Sequence, residues 1–224
     1  MTFHIITIFP EIFNSYFNES IIKRAQAKKI IKLKTYDLRD WAAGTHRQVD
    51  DRPYGGGAGM VLMAEPIIKA LKQKNIKTKK TKIILLSAKG KKWTQAMAER
   101  YANLEHSGDD IVLICGRYEG VDERIKKFVD EEISIGDYVL TGGEIPAMII
   151  VDSITRLLPG ALGNAESAKF ESHSRAGILE HPQYTRPEKL EINHKNYRVP
   201  KVLLSGDHKK IEAWREKKSK KSVN

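Results

Sequence analysis

Residues 115–144, CGRYEGVDERIKKFVDEEISIGDYVLTGGE, constrain the fold of this chain more than any other stretch. They hold two glycine-bearing loops, residues 116–120 and 135–144, on either side of a short charged segment that we predict to be helical. The first loop follows the apolar run 111–115, which has the length and bounds of a buried strand, and the second loop follows another short predicted strand. Glycine lets backbone approach a ligand closely because it has no Cβ. Two such loops at the ends of strands predict a ligand cleft at one edge of a sheet.

The remainder of the chain alternates strand and helix patterns. Residues 3–9 form an apolar run that stops at Pro10, apolar residues then recur at helical spacing as far as Ala25, and residues 31–36 alternate apolar with polar. This β-α-β order predicts an α/β fold with a parallel sheet and flanking helices. We expect further helices at 64–71, 93–104 and 145–158, and a final helix of about a dozen residues around Trp214. The helix at 145–158 is apolar enough to be buried or packed on a second subunit.

Charge and cysteine content narrow the class of protein. The 224 residues carry a formal net charge of +11, which favours a polyanionic partner, although lysines can equally form a solvated face. Cys115 is the single cysteine, so an intramolecular disulfide is excluded and the cytoplasm is the expected compartment. No apolar run has the length of a membrane span, and the first residues lack a signal-peptide pattern.

The chain lacks the sequence motifs of several classes of nucleotide-binding and metal-binding proteins. The loop at 37–59 ends in DDRPYGGGAG, but Met60 and Val61 follow where a P-loop needs Lys and Ser or Thr. No GxGxxG follows the first strand, which disfavours a dinucleotide-binding fold. The histidines form no HxxxH pair, so we expect no metal site from the residues alone.

Five motifs occur together and in order: VDDRPYGGGAGM at 49–60, GRYEG at 116–120, SIGDYVLTGGE at 134–144, LPGALG at 158–163 and HPQYTRP at 181–187. Together they resemble the bacterial tRNA (guanine-37-N1)-methyltransferases of the SPOUT class, from the first strand to about Trp214. The resemblance implies a C-terminal trefoil knot, S-adenosylmethionine as cofactor, tRNA as substrate, a homodimer with a shared active site, and dependence on Mg²⁺. It divides the chain into a knotted domain (1–163), a linker (164–176) and a shortened helical tRNA-binding unit (177–224).

The resemblance also assigns binding residues. Those implied for the cofactor lie in three loops: Leu86, Ser87, Gly116, Tyr118, Ile135, Gly136, Asp137, Tyr138, Val139, Leu140, Gly142 and Gly143. Those implied for tRNA are Asp50, Arg52, Gly55, Gly59 and Glu119. We expect a bulky residue at Gly142 to abolish cofactor binding with little loss of fold.

Two residues are implied for catalysis, Glu171 as general base and Arg156 as the cation beside guanine O6. Methylation at N1 needs a group that takes the N1 proton and a charge that stabilises the resulting oxyanion. From the residues alone, Arg156 is a cation complementing a helix C-terminus and Glu171 an exposed loop acid. His173 is a weaker candidate for the base.

The chain departs from the family pattern at three places, which leaves two alternatives open. Glu171 replaces an aspartate, Ala88-Lys89 replaces Pro-Gln before Gly90, and the C-terminal unit is shorter than usual. One alternative is a non-catalytic RNA-binding protein on a methyltransferase scaffold. The other is a SPOUT methyltransferase that acts on another RNA nucleotide.

Overall fold

The computed structural model describes residues 1–73, 76, 80–104, 110–163, 171–173 and 177–221. The chain divides into two compact units, Met1–Gly163 and Asn164–Asn224. Within the described ranges, no helix is long and apolar enough to cross a membrane.

The first unit is built on a five-stranded sheet. Its elements in chain order are β1 (Thr2–Thr7), α1 (Asn14–Phe17), α2 (Ser20–Ala27), β2 (Lys32–Asp37), β3 (Asp50–Asp51), β4 (Val61–Leu62), α3 (Ala64–Leu71), β5 (Thr81–Lys92), α4 (Gln95–Ala102), β6 (Asp110–Cys115), β7 (Glu131–Ser134) and α5 (Glu144–Thr155). Short 3-10 helices occupy Pro10–Phe13, Leu38–Trp41 and Glu123–Phe128. The sheet order is β2-β1-β6-β5-β7, and every neighbouring pair is parallel. The predicted parallel α/β fold is confirmed.

The sheet is covered on both faces, because side chains alternate along each strand. On β6, Ile111 and Leu113 point into one core cluster with α1, α2, α4 and α5, while Val112 and Ile114 point into another with α3. All four side chains are almost fully buried. Burial on two faces explains why these strands are continuous apolar runs.

Three predicted elements differ from the structure. The helical pattern that ends at Ala25 is broken into a 3-10 helix (Pro10–Phe13), α1 and α2, because Asn18 and Glu19 interrupt the helix and Ser20, the first residue of α2, has φ +48°. Strand β5 runs to Lys92, well beyond the predicted end at Ser87. The charged segment between the two glycine loops is a 3-10 helix, Glu123–Phe128.

The second unit contains strands as well as the predicted helix. Its described elements are β8 (Ile178–Leu179), β9 (Lys189–Ile192), β10 (Lys195–Arg198), a 3-10 helix (Lys201–Leu204), α6 (His208–Lys218) and β11 (Lys220–Lys221). Strands β9 and β10 form a hairpin whose loop, Asn193-His194, has positive φ at both residues. That conformation belongs to the tight turns that suit the twist of paired strands. The unit that the sequence predicts to be helical therefore contains α6 and, in addition, short strands. Most of the predicted linker, residues 164–170 and 174–176, lies outside the described residues.

Candidate functional site

A cavity of about 280 Å³ opens at the carboxyl ends of β6 and β7, beside a break in the pairing of β5. Its walls come from residues 85–89, 116–123, 125–126, 132–135 and 138–143. The two glycine loops follow β6 and β7, which are not neighbours, because β5 lies between them. The expected cleft therefore has a third wall, supplied by residues 86–89 inside β5.

A break in strand pairing shapes that third wall. Leu86 pairs with Ile133, and the next pairing joins Lys91 to the same residue, so residues 87–90 bulge from the ladder. Lys89 N–H donates to Ser87 Oγ at 3.2 Å within the bulge. A Cβ on Gly90 would lie 2.4 Å from the backbone nitrogen of Ile133. The bulge thus depends on glycine at residue 90, and the Ala88-Lys89 departure leaves that contact in place.

The two glycine loops are joined to each other by backbone contacts. Arg117 and Gly142 form an antiparallel bridge, and Gly143 N–H donates to Gly116 C=O at 2.8 Å. A Cβ on Gly143 would lie 2.7 Å from Cys115 Cα. The glycine here is required by the close approach of two chain segments.

The buried carboxylate of Glu144 holds the contact between the two glycine loops in place. Glu144 is 1% exposed, and it accepts from Arg117 Nε at 2.9 Å and from Thr7 Oγ1 at 2.7 Å. The Arg117 guanidinium also donates to Thr141 C=O at 3.3 Å and lies 4.5 Å from the centre of the Phe9 ring. We call Thr7, Arg117 and Glu144 the loop latch. It ties both loops to the end of β1.

The latch corrects the expectation for Gly142. A Cβ there would lie 2.2 Å from Arg117 Nε and 2.6 Å from Glu144 Oε2. A bulky side chain would therefore separate a buried ion pair as well as narrow the cavity. Loss of fold accompanies the loss of binding, because a buried charge without its partner is strongly destabilising.

The thiol of Cys115 lies at the end of β6 and is inert in the folded chain. Burial raises its pKa well above the ordinary value, and the nearby Glu144 carboxylate raises it further. A thiol in such surroundings is not a nucleophile.

The loop at 50–62 docks on the first glycine loop. Glu119 N–H donates to Met60 C=O at 3.0 Å, and Leu62 N–H donates to Gly120 C=O at 3.0 Å. Gly59 has φ +82°, and a Cβ on it would lie 2.5 Å from Glu119 Oε1. Of the residues implied for tRNA, Gly59 and Glu119 are thus in contact, and Glu119 also lines the cavity. Asp50, Arg52 and Gly55 lie farther along the same loop and do not line the cavity.

The structure brings together ten of the twelve residues implied for the cofactor. These ten line the cavity: Leu86, Ser87, Gly116, Tyr118, Ile135, Tyr138, Val139, Leu140, Gly142 and Gly143. Gly136 and Asp137 do not line it, and Asp137 instead forms an ion pair with Lys92. Sequence reasoning missed the lining residues Lys89, Lys126 and Glu132, because only the fold brings the ends of β5 and β7 together.

The acids around the cavity are mostly paired. Arg124 hydrogen-bonds to Asp122 and holds the pKa of that carboxyl below its ordinary value. Lys126 Nζ lies 2.6 Å from Glu123 Oε1 and 3.0 Å from Glu132 Oε2. In the part of the chain that the structure describes, no group of three His, Cys, Asp or Glu side chains is placed to hold a metal ion.

The two residues implied for catalysis belong to different units. Arg156 is half-buried at the end of α5, where its N–H donates to Asp152 C=O at 3.1 Å. Glu171 is half-buried in the second unit, next to a turn in which His173 N–H donates to Ile178 C=O at 2.7 Å. Their catalytic roles stay predictions.

Fold and cavity together define a ligand-binding α/β protein whose site is made of backbone loops at the carboxyl ends of parallel strands. The sequence profile of the family described as "tRNA (Guanine-1)-methyltransferase TrmD" matches residues 1–224. The chain belongs to this family, which confirms the resemblance carried by the five motifs.

Curated relatives agree with the family match. A protein of Dictyoglomus turgidum is 51% identical over 219 residues, covering 98% of this chain and 85% of the relative. One of Clostridioides difficile is 51% identical over 224 residues, covering 98% and 92%. One of Staphylococcus haemolyticus is 52% identical over 211 residues, covering 94% and 82%. All three are named tRNA (guanine-N(1)-)-methyltransferase.

Proposed function

We propose that this chain transfers a methyl group from S-adenosylmethionine to N1 of guanine 37 in tRNA. Its membership of the tRNA (guanine-1)-methyltransferase family over the whole chain carries the reaction and the substrate. The choice of position 37, next to the anticodon, rests on the motifs that the chain shares with enzymes of that specificity.

The family supports S-adenosylmethionine as the ligand of the cavity. Gly116 and Gly143 line it, and a Cβ on either would lie close to backbone of a neighbouring segment, so main chain forms this part of the wall. We propose that main-chain groups of these loops read the edge of an adenine without a charged anchor. When bound, the cofactor supplies an electrophilic methyl group on a sulfonium. We assign its binding to Leu86, Ser87, Gly116, Tyr118 and the segment 135–143.

The chain's own side chains handle the proton and the charge. Glu171 takes the N1 proton as general base, which leaves negative charge shared with O6 of the base. Arg156 donates a hydrogen bond to O6 and stabilises that charge. Glu119, docked against Gly59, lies where the loop at 50–62 meets the cavity, and we assign this loop to holding the target guanine.

We propose a homodimer, which exposed apolar side chains on the first unit support. Ile145 and Ile149 lie one turn apart on the outer face of α5 and are 49% and 37% exposed. Phe9, Ile12 and Tyr16 are each at least 40% exposed, and burial together with Asp152 of α5 raises the pKa of Tyr16, which places that ring beside the helix. Contiguous exposed apolar patches mark protein interfaces. Light scattering at micromolar concentration should give twice the chain mass of 25.4 kDa.

We further propose that residues 1–163 form the trefoil knot of the SPOUT class and that residues 177–224 contribute to tRNA binding. The tRNA substrate and the single, unpaired Cys115 fit the cytoplasm.

The described residues do not fit a resident magnesium site, because most acids at the cavity are held by Arg124 or Lys126. We therefore assign no step to Mg²⁺. Methyl transfer in EDTA against added MgCl₂ measures the dependence that the resemblance implies.

Mapping of methylation on bulk tRNA tests the proposed function. The chain and methyl-labelled S-adenosylmethionine are incubated with unmethylated tRNA, which is then digested and its nucleosides placed by mass spectrometry. We expect 1-methylguanosine at position 37. Label on another nucleotide would assign a different specificity. Cofactor binding with no transfer would support the non-catalytic alternative.

A further inference from the structure

The described residues of the second unit form no core of their own. Across residues 171–173 and 177–220, no side chain is buried. Trp214 meets His181 and Tyr184 at ring-centroid distances of 6.3 and 6.2 Å, but none of these rings is enclosed. A unit of this size with so little burial gains stability from what it binds.

The β9–β10 hairpin concentrates this exposure on one face. Tyr197 pairs with Leu190, and Lys195 pairs with Ile192, so these four side chains lie on the same side of the ribbon. Leu190, Ile192 and Tyr197 are 47%, 54% and 55% exposed. The opposite side carries Lys189, Glu191, Asn196 and Arg198. We call the side with Tyr197 the hairpin face. An isolated two-stranded ribbon is marginal in water, so an uncovered apolar face calls for an occupant.

The charge of the second unit and the area of the hairpin face indicate which partner covers that face. Residues 177–221 hold twelve Lys and Arg against six Asp and Glu, so this stretch carries more than half of the chain's net charge of +11. A second copy would bring the same positive charge to the contact, which opposes association. Three partly exposed side chains also offer far less than the roughly 1,000 Å² that a stable protein interface needs. RNA is a polyanion whose unpaired bases stack on aromatic side chains, and it satisfies both features.

We propose that the hairpin face binds tRNA, with the ring of Tyr197 stacked on an unpaired base and Lys195 near a phosphate. Leu190 and Ile192 extend the apolar platform beside the ring. This proposal rests on the proposed function, since it names the surface that grips the same substrate.

The test measures binding of a fluorescein-labelled tRNA transcript with guanosine at position 37, by anisotropy at fixed salt, to the full chain. Tyr197→Ala should weaken binding about 5- to 150-fold, the range found when one base–aromatic stack is lost. Tyr197→Phe keeps the ring and should stay near the parent. Asn196→Ala, exposed on the opposite side, is the matched control and should also stay near the parent.

A second variant covers the case in which Tyr197→Ala disturbs the hairpin. Tyr197→Trp retains a large ring, and its emission above that of the three native tryptophans should be quenched when tRNA saturates the protein. Parental affinity in Tyr197→Ala, or an unquenched Trp at saturation, would overturn the proposal. Dissociation of a dimer in Tyr197→Ala with unchanged tRNA affinity would assign the face to a second copy instead.

These outcomes are separate from failure of the proposed function. The parent chain is assayed first for methyl transfer to the same transcript. Absence of transfer counts against the methyltransferase, whereas a methylating parent with an indifferent Tyr197→Ala variant counts against the hairpin face alone.

Discussion

Both units contain strands and helices, but they differ in how far their described side chains are buried. In Met1–Gly163, a five-stranded parallel sheet is covered on both faces, and the side chains of β6 from Ile111 to Cys115 are at most 2% exposed. In the second unit, a hairpin and the helix α6 leave every described side chain at least partly exposed. Strands and helices alone therefore do not create a core. Long-range packing creates a core, and among the described residues it buries side chains in the first unit alone.

The difference in burial predicts that mutations in the two units have different effects. The first unit encloses a cavity whose shape depends on its own packing, so damage to its interior should affect both stability and binding. The second unit has little interior to damage, so its residues should affect substrate handling and leave the free energy of unfolding nearly unchanged. Four experiments, taken from the largest expected effect to the smallest, test this separation.

Glu171→Gln should lower the single-turnover rate of methyl transfer by about two to four orders of magnitude, the usual reach of general base catalysis. Cofactor affinity by calorimetry should barely change, because a residue that acts in the transition state adds little to ground-state binding. Stability should also be unchanged, since Glu171 lies in the unit without buried side chains. Glu171→Asp restores the family's residue and should retain measurable transfer. A parental rate in Glu171→Gln would place the base elsewhere, and His173 would be replaced next.

Leu113→Ala should lower the free energy of unfolding by about 2–5 kcal/mol, since Leu113 is 0% exposed in the centre of the sheet. The matched change in the second unit, Leu190→Ala, removes a side chain that is 47% exposed and should alter it by less than about 0.5 kcal/mol. Urea unfolding followed by circular dichroism measures both. Equal losses would show that the second unit has a core after all.

Glu144→Gln should lower the free energy of unfolding by about 1.5–3 kcal/mol, the usual value of a hydrogen bond to a charged group. It should also weaken S-adenosylmethionine binding, because a neutral amide holds Arg117 less strongly than a carboxylate does, and Arg117 joins the two glycine loops. Glu65→Gln is the control, since Glu65 is an exposed carboxylate on α3, paired with Lys69 and outside the cavity wall. Cofactor affinity that falls equally in both variants would exclude the loop latch as the cause.

The smallest effect concerns His4, which is 2% exposed in β1. Burial lowers its pKa below 6.5, with Lys34 and Lys32 acting in the same direction and Asp110 opposing them. The unfolded chain then binds a proton more readily than the folded chain, so stability should fall as pH falls below about 6.5. The melting temperature of His4→Gln should change less with pH in that range than the melting temperature of the parent chain. The difference between the two changes should be a few degrees at most. Parallel pH profiles for the two proteins would contradict this assignment. Tyr36, whose hydroxyl lies 2.9 Å from His4 Nδ1, stays protonated throughout, because burial raises its pKa.

Much of the first unit was predictable because its signals are local. The apolar run at 111–115, the helix at 64–71 and the glycine loops each depend on a few adjacent residues, and the structure has them at or within one residue of the expected positions. The motif order was enough to identify the family. The β9–β10 hairpin was missed, because its Asn-His turn is a weaker signal than Asn-Gly and its strands alternate only partly.

Tertiary structure alone decided how the cavity is closed. Thr7 and Glu144 are 137 positions apart and share a hydrogen bond, and no local pattern links them. In the sequence β5 comes before β6 and β7, whereas in the sheet β5 lies between them, which adds Lys89 to the cavity wall. The sequence by itself determined which segments form strands, turns and the binding loops, because backbone preference and apolar alternation act over neighbouring residues. Which segments become neighbours in space is set by burial summed over the whole unit, and that sum appears only in the folded chain.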